Sequence, residues 1–237
     1  MISNGIATIC ELVTRCCFVQ RVGVESRVKG LASGKPRDPF SAALDALKTE
    51  LKNGRLVLGE PLTITELAQS LGLSATPVRE ALSRLAGAGL IEDRRGRGYV
   101  APRYEVSDLE ELYGLRRLYL DEAQRAGEMT DPPPGPETTA RRASAGDQLT
   151  DLLDWIAAQA GNRALFDAYR QVSDRLAPAV QVEGQVFALA EDLAALRAVL
   201  TERVKCSAVL VDLHDARRRR APELIRAMRA NANIASL

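Results

Sequence analysis

Ser74, Thr76 and Arg79 crowd the start of one segment, Ser74-Ala-Thr-Pro-Val-Arg-Glu-Ala-Leu-Ser-Arg-Leu85. Two hydroxyls beside the free N–H groups of a helix start suit phosphate oxygens. A guanidinium one turn on can make bidentate bonds to guanine if that helix end enters a major groove. A few residues later Arg94, Arg95 and Arg97 surround Gly96. A glycine there lets backbone approach a narrow groove, and arginines respond to the groove's negative potential. Either feature alone is better explained by Arg79 paired to a neighbouring acid or by a solvated charge run. Both together, on a frame of the right length, point to duplex DNA.

Other chemistry is thinly represented. The chain has one histidine and four cysteines (Cys10, Cys16, Cys17 and Cys206) without metal-ligand spacing. Adjacent Cys16 and Cys17 pair poorly, and Cys206 lies in a stretch that reads as helical, so reduced thiols are expected. No nucleophile–base pair, glycine-rich phosphate loop or carboxylate constellation is visible, which makes an enzyme the remote reading.

The elements that must position these residues follow from periodicity. Phe40, Ala43, Leu44, Leu47 and Leu51 recur at helical spacing and predict a first helix, stopped near Gly54. Thr63-Ile-Thr-Glu66 predicts a capping box opening a second helix that stops at Gly72. Ser74 is expected to cap a third, with Pro77 tolerated in its first turn and Val78, Ala81, Leu82 and Leu85 on its apolar side. Residues 90–100 predict two short strands around the Gly96–Gly98 turn. Three helices and a basic hairpin in about 65 residues make a winged helix-turn-helix, with Gly72-Leu73-Ser74 as its turn.

Ser107-x-x-Glu110 predicts a capping box for a long helix reaching Ala126, broken by the Pro-rich stretch at 130–137. From about 139 to 233 the pattern is helical, with stops or weak points at Gly161, Pro178 to Gly184, and Pro222. The expected fold class is mainly α, a winged helix-turn-helix (three helices plus a β-hairpin) joined to an all-helical bundle. The expected domains are an N-terminal extension at 1–37, the winged helix-turn-helix at 38–104, and a helical dimerisation or effector domain at 105–237. The extension reads as a flexible arm or as the product of an upstream start codon.

Of 237 residues, 46% are hydrophobic and 27% charged, with aromatics at 4%, a composition of soluble, helix-leaning proteins. The net charge of +1 hides an uneven distribution. Residues 75–104 hold six arginines against three acids, whereas 105–237 hold seventeen basic residues against twenty-one acidic ones. Positive charge therefore collects where an anionic partner is expected. No apolar run is long enough to span a membrane, and Glu11, Arg15, Arg21 and Glu25 interrupt what a signal peptide would need. A cytoplasmic location is expected.

Residues 40–101 resemble the DNA-binding domain of the GntR family. The strings that carry this are Thr76-Pro-Val-Arg-Glu-Ala-Leu82, G-E-P-L-T-I-T-E-L-A-Q-S-L-G-L-S at 59–74, and G-L-I-E-D-R-R-G-R-G-Y-V at 89–100. The resemblance implies a homodimer on a roughly palindromic operator in double-stranded DNA. By position, the implied contacts are Thr65, Ser74, Thr76, Arg79, Arg95, Gly96 and Arg97. Most members carry Arg where this chain has Ala75, so the family's usual operator is not implied.

The second half resembles the FadR-like branch, whose helical effector domain, the FCD domain, often holds a metal through one Asp and three His. Arg116, Leu120-Asp121 and Ala160-Gly161-Asn162 fit that pattern. Asp192 and His214 stand where its last two histidines fall, but the other two ligand positions fall on Leu149 and Leu153. Leucine cannot ligate, so no metal and no cofactor is expected. Asp192 and His214 remain a candidate effector pair, set against an ordinary hydrogen-bonded histidine. The domain also looks shortened around residues 131–136. The Arg217–Arg220 run reads as a solvated helix face; DNA, an acidic effector or a partner chain are the other readings.

Three functions follow. The first is a transcription regulator, most often a repressor in this family, whose DNA affinity responds to an organic acid-like metabolite. The second is a DNA-binding regulator whose helical domain only dimerises, its pocket filled by Leu149 and Leu153. The third is the remote enzyme.

Overall fold

In the computed structural model, Pro39 sets the first turn of α1 (Pro39–Lys52), where a missing N–H costs nothing. Residues 38–54, 56, 59–127, 131–133, 144–202 and 205–235 are described. The expectations for residues 1–37, with Cys10, Cys16 and Cys17, and for the Pro-rich stretch from residue 134 lie outside them.

Ala43, Leu47 and Leu51 are buried one turn apart along α1. They meet α3 (Ala75–Gly87), which buries Val78, Ala81, Leu82 and Leu85. α2 (Ile64–Leu71) closes this core with Ala68. The hairpin forms as expected, from β2 (Glu92–Arg94) and β3 (Gly98–Val100). A strand that the sequence did not suggest, β1 (Pro61–Leu62), pairs antiparallel with β3, giving the order β1-β3-β2. Pro61 sits on an edge strand, where its missing donor is tolerated.

The rest is helical: α4 (Val106–Ala126), α5 (Ala145–Ala158), α6 (Arg163–Val180), a 3-10 turn at Glu183–Gln185, α7 (Leu189–Thr201), α8 (Ser207–Arg219) and α9 (Ala221–Ala235). α4 is the central rod, packed against α5, α6, α8 and α9. One core lies around Leu120, Leu152, Ile156, Leu196 and Leu210, another around Leu109, Tyr113, Leu176 and Leu224. From Asp38 onward the chain forms one compact unit. Polar contacts join its winged half to its helical half. Lys52 pairs with Asp174 at 3.3 Å, and the Tyr104 hydroxyl donates to the Arg175 carbonyl at 2.8 Å. Burial pushes the Tyr104 phenol up to about 12, so it remains a donor at any physiological pH.

Several local expectations are corrected. Thr63 is the N-cap of α2, yet its hydroxyl makes no capping bond to the helix. Its side chain is exposed, where water competes for the same groups. The cap of α4 is Glu105, not Ser107, and Asp108 Oδ2 accepts from the Glu105 backbone N–H at 2.8 Å. The buried Tyr104 anchor ends the extended segment, so the helix begins at once and Ser107 already lies in its first turn. Pro222 does not break a helix; it lies in the first turn of α9, and the break is at Arg220. Cys206 is not inside a helix but precedes α8 as its N-cap, after a break following α7 that contains neither Gly nor Pro.

Candidate nucleic-acid interface

The turn between α2 and α3 is built by Gly72. Its φ of 65° is the left-handed conformation that a side chain resists, and it lets the Gly72 and Leu73 N–H groups bond back to Gln69 and Ala68. Three residues after Gly72, α3 starts at Ala75. Its buried positions leave Thr76, Arg79 and Ser83 on one outward face, at spacings of three and four. Ser74, like Thr63, makes no side-chain capping bond. The first-turn N–H groups of both helices therefore keep their hydrogen-bonding capacity for an outside acceptor such as a phosphate oxygen.

The wing turns at Gly96, with φ of 74°, and the Arg97 N–H bonds to the Arg94 carbonyl at 2.8 Å. Glu92 Oε2 accepts from both Nε and Nη2 of Arg94, which is thereby tied to the strand. Arg95 and Arg97 stay at the tip. All seven residues implied by the resemblance (Thr65, Ser74, Thr76, Arg79, Arg95, Gly96 and Arg97) are exposed. Among the described residues no carboxylate pairs with Arg79, Arg95 or Arg97, in contrast to Arg94.

The helical half treats its polar residues differently. His214 is fully buried. Its Nδ1 lies 2.7 Å from the Leu210 carbonyl, and Arg116 donates Nε–H to its Nε2 at 3.2 Å. Nδ1 must therefore carry the proton and Nε2 the lone pair, a neutral tautomer. Burial, then the charges of Arg116 and Arg217, hold the ring well below its ordinary pKa. Asp192 instead accepts from Arg217 Nη2 at 2.9 Å. Arg217 is no solvated residue: it is fully buried, and its Nε and Nη2 both donate to Glu183 Oε2, at 2.9 and 2.8 Å. The Tyr113 hydroxyl donates to the other oxygen of Glu183 at 2.7 Å. Burial works against the Arg217 charge, but the two carboxylates outweigh it and raise its pKa. Only Arg218 and Arg219 of that run are exposed, and Arg220 is bound to Glu223.

Leu149 and Leu153 are core residues, both ring nitrogens of His214 are engaged, and Asp192 is held by an arginine. Among the described residues no cluster of three potential ligands exists.

A cavity of about 540 Å³ lies elsewhere, lined by α4, α5, α6, the 3-10 turn, the start of α7 and the end of α1. Its wall includes Leu153, Arg116, Tyr169 and Arg170, but neither Asp192 nor His214. His214 thus sits beside Arg116 and Asp192 beside Arg217, and neither borders this cavity. Nothing in residue spacing joined Lys52 to this wall, because that neighbourhood depends on how the winged half seats on α6. Among the described residues no helix is long and apolar enough to cross a membrane.

Comparison with known proteins agrees with the winged half. Residues 40–100 match the family model for bacterial regulatory proteins, gntR family. The probable D-xylose utilization operon transcriptional repressor of Paenarthrobacter nicotinovorans is 41% identical over 76 residues, 32% of this chain and 34% of that protein. The uncharacterized HTH-type transcriptional regulator YdhC of Bacillus subtilis (strain 168) is 28% identical over 127 residues, 50% of this chain and 56% of that protein. The chain thus spans from a third to just over half the length of these relatives. Escherichia coli McbR/YncC shares the fold with a TM-score of 0.58 at 20% identity, over 78% of this chain and 98% of that one. Residues 40–100 are thus similar to the DNA-binding domain of the gntR family of bacterial regulatory proteins.

Proposed function

We propose that this chain is a DNA-binding transcription regulator of the FadR-like branch, acting as a homodimer on a roughly palindromic operator. Ser74, Thr76 and Arg79 of α3 enter the major groove, Thr65 at the start of α2 holds a phosphate, and Arg95, Gly96 and Arg97 reach the neighbouring groove. One observation carries this reading. On a helix-turn-helix of the GntR family, three arginines stand exposed at α3 and the wing with no carboxylate partner among the described residues. Unpaired guanidinium groups on one domain are what phosphate neutralisation and base readout use.

A second copy is supported by α4. Leu115 and Leu118 are 37% and 56% exposed there, three residues apart and so on one side of the helix. A homodimer would bury both. Repression is the proposed mode, in line with the name of the D-xylose relative, and a small metabolite bound in the helical half would shift the equilibrium between head arrangements.

The alternative of a helical half that only dimerises draws support from Leu149 and Leu153 filling the positions of the absent metal ligands. The separate cavity beside Arg116 favours the sensing reading. Selecting binding sites for the purified chain from random duplex DNA tests the proposal. An inverted repeat should emerge, bound by two chains; failure to enrich any sequence over bulk DNA rejects it.

A further inference from the structure

Another cavity, of about 400 Å³, lies between the winged half and α6. Leu44 and Lys48 of α1 line it on one side, together with Arg84 and Leu85 from the end of α3. Asp167, Gln171 and Asp174 of α6 line the other side. Their spacing of four and three residues puts all three on one side of that helix. Leu90, just after α3, adds to the apolar lining. The volume falls within the range of small-ligand pockets.

The charges divide by wall: the winged half supplies the cations and α6 the acids. One turn along α1 from Lys48, Lys52 crosses to Asp174 at 3.3 Å, so the walls meet there. At Lys48 and Arg84 they stand apart, and neither cation forms an ion pair among the described residues. Asp167 meets Arg163 of its own helix at 3.7 Å, with both side chains largely exposed, a weak contact. A simple anion drawn to Lys48 and Arg84 would face Asp167 and Asp174, and a simple cation would meet the reverse. A small molecule carrying both charges complements both walls at once. The Arg84 fork suits a carboxylate in two-point contact, and the Gln171 amide offers a donor and an acceptor beside the acids. Leu44, Leu85 and Leu90 suit an apolar side chain on the same molecule.

We propose that this cleft binds a free α-amino acid with an apolar side chain, its carboxylate held by Lys48 and Arg84 and its ammonium group by Asp167 and Asp174. The ligand is complete only when both walls are in place, so it favours the arrangement in which the winged half is seated on α6. The effect on DNA rests on the regulator reading; the binding step does not.

Two measurements separate the steps. The first, melting of the full chain with leucine, methionine or phenylalanine, needs no DNA. Its controls are 4-methylpentanoate and 3-methylbutylamine, which keep the leucine body with the carboxylate alone or the ammonium alone. At least one of the amino acids should raise Tm and the two controls should not, because a ligand stabilises the state it binds. Arg84→Gln and Asp167→Asn replace exposed side chains that do not border the cavity beside Arg116. Both variants should fold as wild type and lose most of the shift. No shift from any of the three amino acids, a shift matched by either control, or an unchanged shift in either variant overturns the site. In the second measurement, on DNA selected with the wild-type chain, the amino acid that binds should change affinity about fivefold or more. Asp167→Asn, on α6, should abolish that change. Unaltered affinity at saturating amino acid overturns the coupling. A chain that binds the amino acid but selects no DNA rejects the regulator reading alone.

Discussion

Arg116 on α4 donates its Nε–H to Nε2 of His214 on α8, 3.2 Å away, inside the helical half. The bond requires a neutral ring, and Arg116, Arg217 and Arg117 all oppose a further positive charge there. Unfolded, the same histidine takes up a proton near its ordinary pKa of 6.5; folded, it resists one. Below that pH the unfolded chain therefore binds more protons, and stability falls as pH falls. Above it the contribution is complete. The slope from this one residue reaches at most about 1.4 kcal/mol per pH unit. Urea unfolding of wild type and His214→Gln across pH 5 to 7 should show the extra slope only in wild type. Parallel pH profiles would mean that the ring is protonated in the folded state as readily as in the unfolded one.

Arg79 is exposed and makes no carboxylate contact among the described residues, so its removal should spare the fold. Arg79→Ala is expected to weaken specific binding by about 1–3 kcal/mol while leaving binding to unrelated DNA nearly unchanged. Fluorescence anisotropy on selected and scrambled duplexes separates the two. A uniform loss on both would make Arg79 a phosphate contact rather than a base reader.

The winged half was legible because its signals are local. Gly72 and Gly96 mark left-handed turns, and the spacing of Val78, Ala81, Leu82 and Leu85 names the buried face of α3 outright. The helical half was legible as helices but not as a site. Asp192 and His214 satisfy a family spacing, yet each is claimed by a different arginine across the bundle. Their partners come from residues 25 and 98 positions away in sequence, which periodicity does not encode. The same holds for Arg217: within a run of four arginines nothing distinguishes it, until Glu183 and Asp192 arrive from other elements. The absent Thr63 capping bond shows the opposite limit, since a matching pair of residue types does not ensure the bond when both are exposed.

Arg95 and Arg97 are placed at a turn whose backbone is held by the Arg97 N–H bond to Arg94. As phosphate or groove contacts they release counterions on binding, and each phosphate neutralised adds about 0.9 to the slope of log affinity against log salt. The double change Arg95→Ala/Arg97→Ala should lower that slope by roughly one to two per head if both touch phosphate. Affinity measured over a salt series checks this. An unaltered slope would take the wing off the DNA.

Leu118 is more than half exposed on α4, and Leu115 lies one turn before it. Arg117 and Asp121 pair at 3.2 Å on the same helix. Burying a leucine side chain contributes about 1.5–3 kcal/mol, and a symmetric contact counts each residue twice. Leu118→Glu places two like charges in that contact, and dimer dissociation should strengthen tenfold or more, about 1.4 kcal/mol or above. Sedimentation across a concentration series gives the constant directly. Because Leu118 contributes little to the bundle's own core, the variant should melt as a folded monomer rather than aggregate. A dimer of wild-type strength in Leu118→Glu would move the interface to another face, with the DNA contacts of α3 untouched.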